Sequence, residues 1–107
     1  MSSHLKLVVY VPTENADDVR RVIGENGGGK IGNYSFCSFS SKGVGRFKPE
    51  AGANPHIGSV GEFEAVEEER IEVIIPAENA KEIVAAMKAA HPYEEVVYDL
   101  YPLEVLG

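Results

Sequence analysis

The chain is short of five things, and each shortage removes a class of reading. It has one cysteine, Cys37, so no disulfide can close within it, as in proteins kept in a reducing compartment. No apolar run approaches the roughly 20 residues that a spanning helix needs; Leu7 to Val11 is among the longest. The N-terminal Met-Ser-Ser-His-Leu-Lys has no apolar secretory core. The expectation is a cytoplasmic protein without a membrane partner. Positive charge is scarce: 10 Lys and Arg stand against 17 Asp and Glu, a net charge of −7. Nucleic acid, whose phosphates need Lys and Arg, is excluded as a partner. Signatures of nucleophilic catalysis are missing as well. There is no Gly-x-Ser-x-Gly elbow. The Gly27-Gly28-Gly29-Lys30 run is followed by Ile31, where a phosphate-binding loop requires Ser or Thr.

Apolar residues and acid are plentiful. With 44% hydrophobic residues in 107, one domain over 1–107 can bury a core without staples. Glu62, Glu64, Glu67, Glu68 and Glu69 crowd together and read as a solubilising face. Cys37, between Phe36 and Ser38, reads as a small buried filler.

A repeat organises the chain. Tyr10 to Ile23 (YVPTENADDVRRVI) returns as Ile74 to Met87 (IIPAENAKEIVAAM), 64 residues later. Pro12 matches Pro76, Glu14 matches Glu78, Asn15 matches Asn79 and Ala16 matches Ala80. Leu5 to Val11 reads as a strand stopped by Pro12, with Thr13 placed to cap a helix whose apolar stripe is Ala16, Val19, Val22 and Ile23. Gly24 and the Gly27–Gly29 run end that helix. Ile31 to Ser41 reads as a second strand and Glu62 to Ile75 as a third, bent near Glu67 to Glu69. Ala77 to Ala90 is the second helix, stopped by His91-Pro92, and Val96 to Tyr101 is the fourth strand. The order β-α-β-β-α-β predicts an α+β, ferredoxin-like sandwich: a four-stranded antiparallel sheet with both helices on one face. Tyr34, Phe36, Phe39, Phe63, Tyr98 and Tyr101 overload the open face and predict self-association.

Two segments carry candidate chemistry. Lys42 to Val60, rich in glycine and proline, reads as a long loop between strands two and three. On it Gly43, Gly45, Arg46 and Lys48 could receive an anion at accessible backbone amides; with Asn54 and Tyr93 they form the candidate ligand-binding set. The second segment is His91-Pro92-Tyr93-Glu94-Glu95. His91 and Glu94, joined by His56 and Asp99 if the fold gathers them, are the candidate ligands for a divalent metal. The plain alternative is a helix-stop turn in which His91 caps the last carbonyls.

The stretches Ile31 to Cys37, Gly43 to Pro49, Gly52 to Gly58, His91 to Glu95 and Tyr98 to Leu103 resemble, in order and spacing, the domain inserted in YqfO-type proteins. These are the larger bacterial members of the Ngg1p-interacting-factor-three-like family. The resemblance implies a stand-alone copy of that insert, with the fold of PII signalling proteins and CutA, which are ferredoxin-like trimers. It also implies that the dinuclear metal site of the larger proteins lies in a flanking domain. The resulting expectation is a non-enzymatic binding or regulatory module. It would be a homo-oligomer, a trimer before a dimer, taking a divalent metal or a small ligand between subunits. The alternatives are a metal-dependent hydrolase with His91 and Glu94 at an interface, and a structural cap for a separate partner protein.

Overall fold

The internal repeat is a repeat of structure. The computed structural model describes residues 3–104 and 106. Strand β1 (His4–Pro12) runs through a 3-10 turn (Thr13–Asn15) into helix α1 (Ala16–Glu25). Strand β3 (Glu64–Pro76) does the same through Ala77–Asn79 into α2 (Ala80–Ala90). Both turns and both helix starts keep the spacing of the sequence repeat. Strands β2 (Phe39–Phe47) and β4 (Tyr98–Pro102) complete an antiparallel sheet of order β2-β3-β1-β4. This is the expected ferredoxin-like arrangement.

The alternation of β1 and β3 sorts the faces. Leu7, Val9 and Val11 join Ile71, Val73 and Ile75 under Ala16, Val19 and Ile23 of α1 and Ala80, Ile83, Val84 and Met87 of α2. Both helices therefore cover one face. Val22, expected in the α1 stripe, is only half-buried. Arg20 fastens α1 to the sheet: its guanidinium donates to Glu69 Oε1 at 2.6 Å and Ser40 Oγ at 3.0 Å. The opposite face has no helix. A row of cross-strand partners runs over it from Phe39 through Glu72 and Val8 to Asp99. Phe39 is 67% exposed and Tyr101 46%. Tyr98 instead lies on the helix side, packed against the core, and Tyr34, Phe36 and Phe63 lie outside the strands. The open face carries fewer aromatics than expected.

The second strand departs most from expectation. Ile31 to Ser38 forms no sheet strand; Ile31 and Tyr34 exchange backbone hydrogen bonds in a tight turn. Strand β2 begins at Phe39 and runs through Gly43, Gly45 and Arg46. Glycine disfavours a strand by local propensity, but the long β3 offers a full ladder of partners from Glu64 to Glu72, and that pairing prevails. The loop between β2 and β3 therefore spans 48–63, not 42–60. Strand β3 is continuous through Glu67 to Glu69. Gly24 lies inside α1, where a Cβ would collide with the Phe36 ring. The helix ends one residue later, at Glu25, as Gly27 and Gly28 amides return to the carbonyls of Gly24 and Ile23. Thr13 makes no capping bond because it belongs to the 3-10 turn. Cys37 lies in the connection before β2, partly buried, and not in a strand.

This packing predicts unequal penalties along the helices. Ile83→Ala should lower folding stability by about 2–5 kcal/mol, as for a fully buried aliphatic side chain, and Val22→Ala by about 1 kcal/mol or less. Urea unfolding of the two variants checks the order; equal losses would contradict the assigned core.

Candidate functional site

The site is built where α2 stops. The chain leaves the helix at His91, whose backbone N–H closes the last turn on Met87 and Lys88. Pro92 prevents the helix from continuing. The His91 side chain does not cap the helix, as the plain alternative supposed. It crosses to β1 and is 6% exposed. Nε2 lies 2.7 Å from the Tyr10 carbonyl, and Nδ1 lies 3.1 Å from the Tyr93 amide nitrogen. A carbonyl only accepts and an amide N–H only donates, so Nε2 carries the proton and Nδ1 presents its lone pair. Burial lowers the pKa of this imidazole below 6.5, outweighing the Tyr10 bond and the Glu68 charge, which favour the cation.

Held by that amide bond, Tyr93 becomes the centre of an aromatic cluster. Its ring lies 5.0 Å from His91, 6.0 Å from Phe47 in an edge-to-face pair and 6.4 Å from His56, centroid to centroid. Its hydroxyl donates to Glu68 Oε2 at 2.8 Å. Burial first, then the bond to Glu68, raises the phenol pKa, so Tyr93 stays neutral. Glu68 is 9% exposed and rests against Gly45 of β2, where an added Cβ would overlap its carboxylate. Gly45 thus acts by having no side chain, not by opening a loop amide.

Around this cluster a cleft of about 390 Å³ opens between the 48–63 loop and the segment after α2. Phe47, Pro55, Ile57 and Tyr93 give it apolar walls, Arg46, Lys48 and four glutamates give it charge, and His56 adds an imidazole. Across the cleft, the Asn54 backbone N–H donates to the Glu94 carboxylate at 3.0 and 3.1 Å from its two oxygens, tying the two segments together.

The expected site residues therefore fare differently. Gly45, Arg46, Lys48 and Tyr93 line the cleft, and Asn54 closes it through its backbone. Gly43 is a mid-strand residue of β2 with open space beside it. His56, His91, Glu94 and Asp99 are not gathered within one chain. Among the described residues no group of three or more His, Cys, Asp or Glu is placed to hold a metal. The physical reason is that His91 has engaged both ring nitrogens, Glu94 is held by Asn54, and Asp99 sits opposite Val8 on the open sheet face. Sequence reasoning missed Glu68, Phe47 and Tyr10. Glu68 and Glu69 do not belong to a solvated acidic face: both are buried, one against Tyr93 and the other against Arg20.

The relatives agree with this fold. The chain is similar to a segment of GTP cyclohydrolase 1 type 2 homologs: 56% identical to that of Halalkalibacterium halodurans, over 95% of this chain and 28% of that protein. It is 54% identical to that of Bacillus subtilis, over 92% and 26%. The chain thus spans little more than a quarter of the curated relatives it matches. Among solved structures it superposes on a Bacillus cereus protein related to NIF3 with a TM-score of 0.84 at 49% identity, covering 97% of this chain and 26% of that one. It also superposes on the periplasmic divalent cation tolerance protein CutA of Archaeoglobus fulgidus, with a TM-score of 0.68 at 21% identity, covering 95% and 85%. The second likeness establishes the fold. No known family's sequence model matches the chain. Both expectations of kinship, with the YqfO-type insert and with the CutA fold, are borne out.

The buried imidazole sets the sign of a pH dependence. Its folded pKa is depressed, so below about 6.5 the unfolded chain binds the proton more readily. The stability that His91 provides is complete above 6.5 and is lost as pH falls through the folded value. Unfolding by urea between pH 7.5 and 5.5 should show this decline. His91→Ala should lower stability by about 1–3 kcal/mol at pH 7.5, by leaving two backbone groups without partners, and should flatten the decline. A decline unchanged in the variant would assign it to another group.

Proposed function

We propose that this domain is a non-enzymatic binding module: it receives a small ligand in the cleft centred on Tyr93 and self-associates, as a trimer, through the open face of its sheet. The observation that carries the binding reading is the cleft itself, whose volume falls in the range of roughly 300–1,000 Å³ typical of small-molecule sites. Its central side chain, Tyr93, is held by Phe47, His56, His91 and Glu68 and lines the cleft. Self-association is supported by the exposed Phe39 and Tyr101 on a face that no helix covers. The proposed compartment is the cytoplasm, in keeping with a single unpaired cysteine. Among the described residues no helix is long and apolar enough to cross a membrane.

The relatives' name speaks of GTP cyclohydrolase chemistry for proteins about three and a half times as long. In this chain a proton-transfer role for His91 would require its Nδ1 bond to Tyr93 or its Nε2 bond to Tyr10 to open first. A divalent metal held between subunits remains part of the proposal, with His56, exposed beside the cleft, as its most accessible nitrogen donor. One observation favours a second reading, docking of a separate protein: Phe63 is 84% exposed and Tyr34 75%, both outside the sheet.

Light scattering at micromolar concentration tests the assembly. The expected mass is three times that of the chain, and Phe39→Asp should reduce it to one. A monomeric wild type would overturn the oligomer. A trimer that survives Phe39→Asp would move the interface off the open face.

A further inference from the structure

Glu68 is a buried carboxylate with an unfinished set of partners. It is 9% exposed, one oxygen accepts the Tyr93 hydroxyl, and among the described residues neither oxygen is paired with a cation and Oε1 receives no hydrogen bond. A carboxylate largely withdrawn from water is ordinarily matched by a positive charge or several donors, whereas Glu68 Oε1 keeps only a residual contact with solvent. Glu69, its neighbour on the other face, has such a match in Arg20 at 2.6 Å. Glu68 lines the cleft, so the place where its partner would sit is open to a ligand.

The surroundings describe that partner. Phe47 and Tyr93 meet edge to face at 6.0 Å on the wall beside Glu68, and aromatic faces attract cations electrostatically. Four carboxylates line the cleft, Glu50, Glu68, Glu94 and Glu95, against two cations, Arg46 and Lys48. Lys48 is itself paired with Glu50 at 3.4 Å. The cleft therefore has a negative balance, a buried carboxylate with a free oxygen, and aromatic walls, three features that converge on one class of molecule.

We infer that the ligand of this cleft is a small organic cation: a protonated amine on a flat apolar body, with its ammonium on Glu68 and its body against Phe47 and Tyr93. This rests on the binding reading above and names its ligand class. It runs against the anion that the basic residues Arg46 and Lys48 suggest in sequence.

Three probes with one ring separate the charge from the body: tyramine, its neutral alcohol tyrosol, and the anion para-hydroxyphenylacetate. Each is titrated into the full chain at physiological salt and followed by amide chemical shifts. Tyramine should bind about ten-fold or more tighter than tyrosol, the scale of a charge-assisted hydrogen bond, with shifts centred on Tyr93, Phe47 and Glu68. The anion should bind weakest. Glu68→Gln keeps an acceptor for the Tyr93 hydroxyl but removes the charge, and should bring the tyramine-to-tyrosol ratio close to one. Equal binding of the three probes to wild type, or tighter binding of the anion, would overturn the cationic class while leaving a ligand-binding cleft. No shift from any probe would overturn the cleft as a ligand site altogether. N-acetyl-lysine methylamide, binding tighter than tyramine, would overturn the flat body in favour of a lysine side chain. A charge preference that persists in Glu68→Gln would remove Glu68 from the site.

Discussion

The site depends on one buried imidazole that is committed at both ends. Through Nε2 it reaches the backbone of β1 at Tyr10, and through Nδ1 it fixes the amide of Tyr93. Two backbone groups that would otherwise lie unsatisfied near the core are thereby paired. The geometry of Tyr93 follows from this, since a residue whose amide is held has little freedom in where its ring begins. From there the Tyr93 ring meets Phe47 and His56, and its hydroxyl reaches Glu68. The chain of contacts thus runs from the core strand β1, through the end of α2, to the β2–β3 arm. Because the neutral imidazole is the form that fits, the same arrangement makes the site sensitive to acid.

The duplicated strand-helix unit explains where such a site can arise. The two units agree through the 3-10 turns and the buried helix faces, since both must cover the same sheet. They diverge where the helices end. After α1 the chain turns through Asn26 and Gly27, with the Asn26 side chain closing on the Val22 carbonyl at 2.8 Å. At the position that matches Gly27, the second unit has His91. A terminus with no side chain returns to the sheet, whereas a terminus with an imidazole and a following proline creates a bound, projecting segment. Strand β3 contributes the other half. It runs on beyond its pairing with β1 to carry Glu64 to Glu67 against β2, and the arm so formed carries Phe47 and the 48–63 loop over Tyr93.

This arrangement accounts for what could be read from the sequence. The fold was legible because the repeat fixes two strand-helix units, and their apolar periods leave one way to bury them. The position of β2 was not legible. Gly43 and Gly45 have turn chemistry, and only the tertiary ladder with β3 makes them a strand. Tyr93 and the His91 segment stood out, but the bonds of His91 lie with a carbonyl 81 residues away, which no local pattern encodes. Glu68 was hidden among like neighbours in an acidic run. A signal existed: adjacent glutamates on a strand face opposite sides, so one of Glu68 and Glu69 had to point toward the helices. That Glu68 is also buried follows from the absence of a side chain at Gly45, a long-range fact. The metal set is not gathered within one chain, among the described residues, for a related reason: composition shows which residues could be ligands but not which are already engaged.

The most direct test of this account is the protonation state of His91, read by nitrogen NMR of the imidazole at pH 7.5. The account predicts a neutral ring protonated at Nε2, with an unprotonated Nδ1 whose shift reflects the Tyr93 amide. A ring protonated at Nδ1, or a cation at that pH, would contradict it, because neither form can accept the Tyr93 N–H on which the position of the cleft depends.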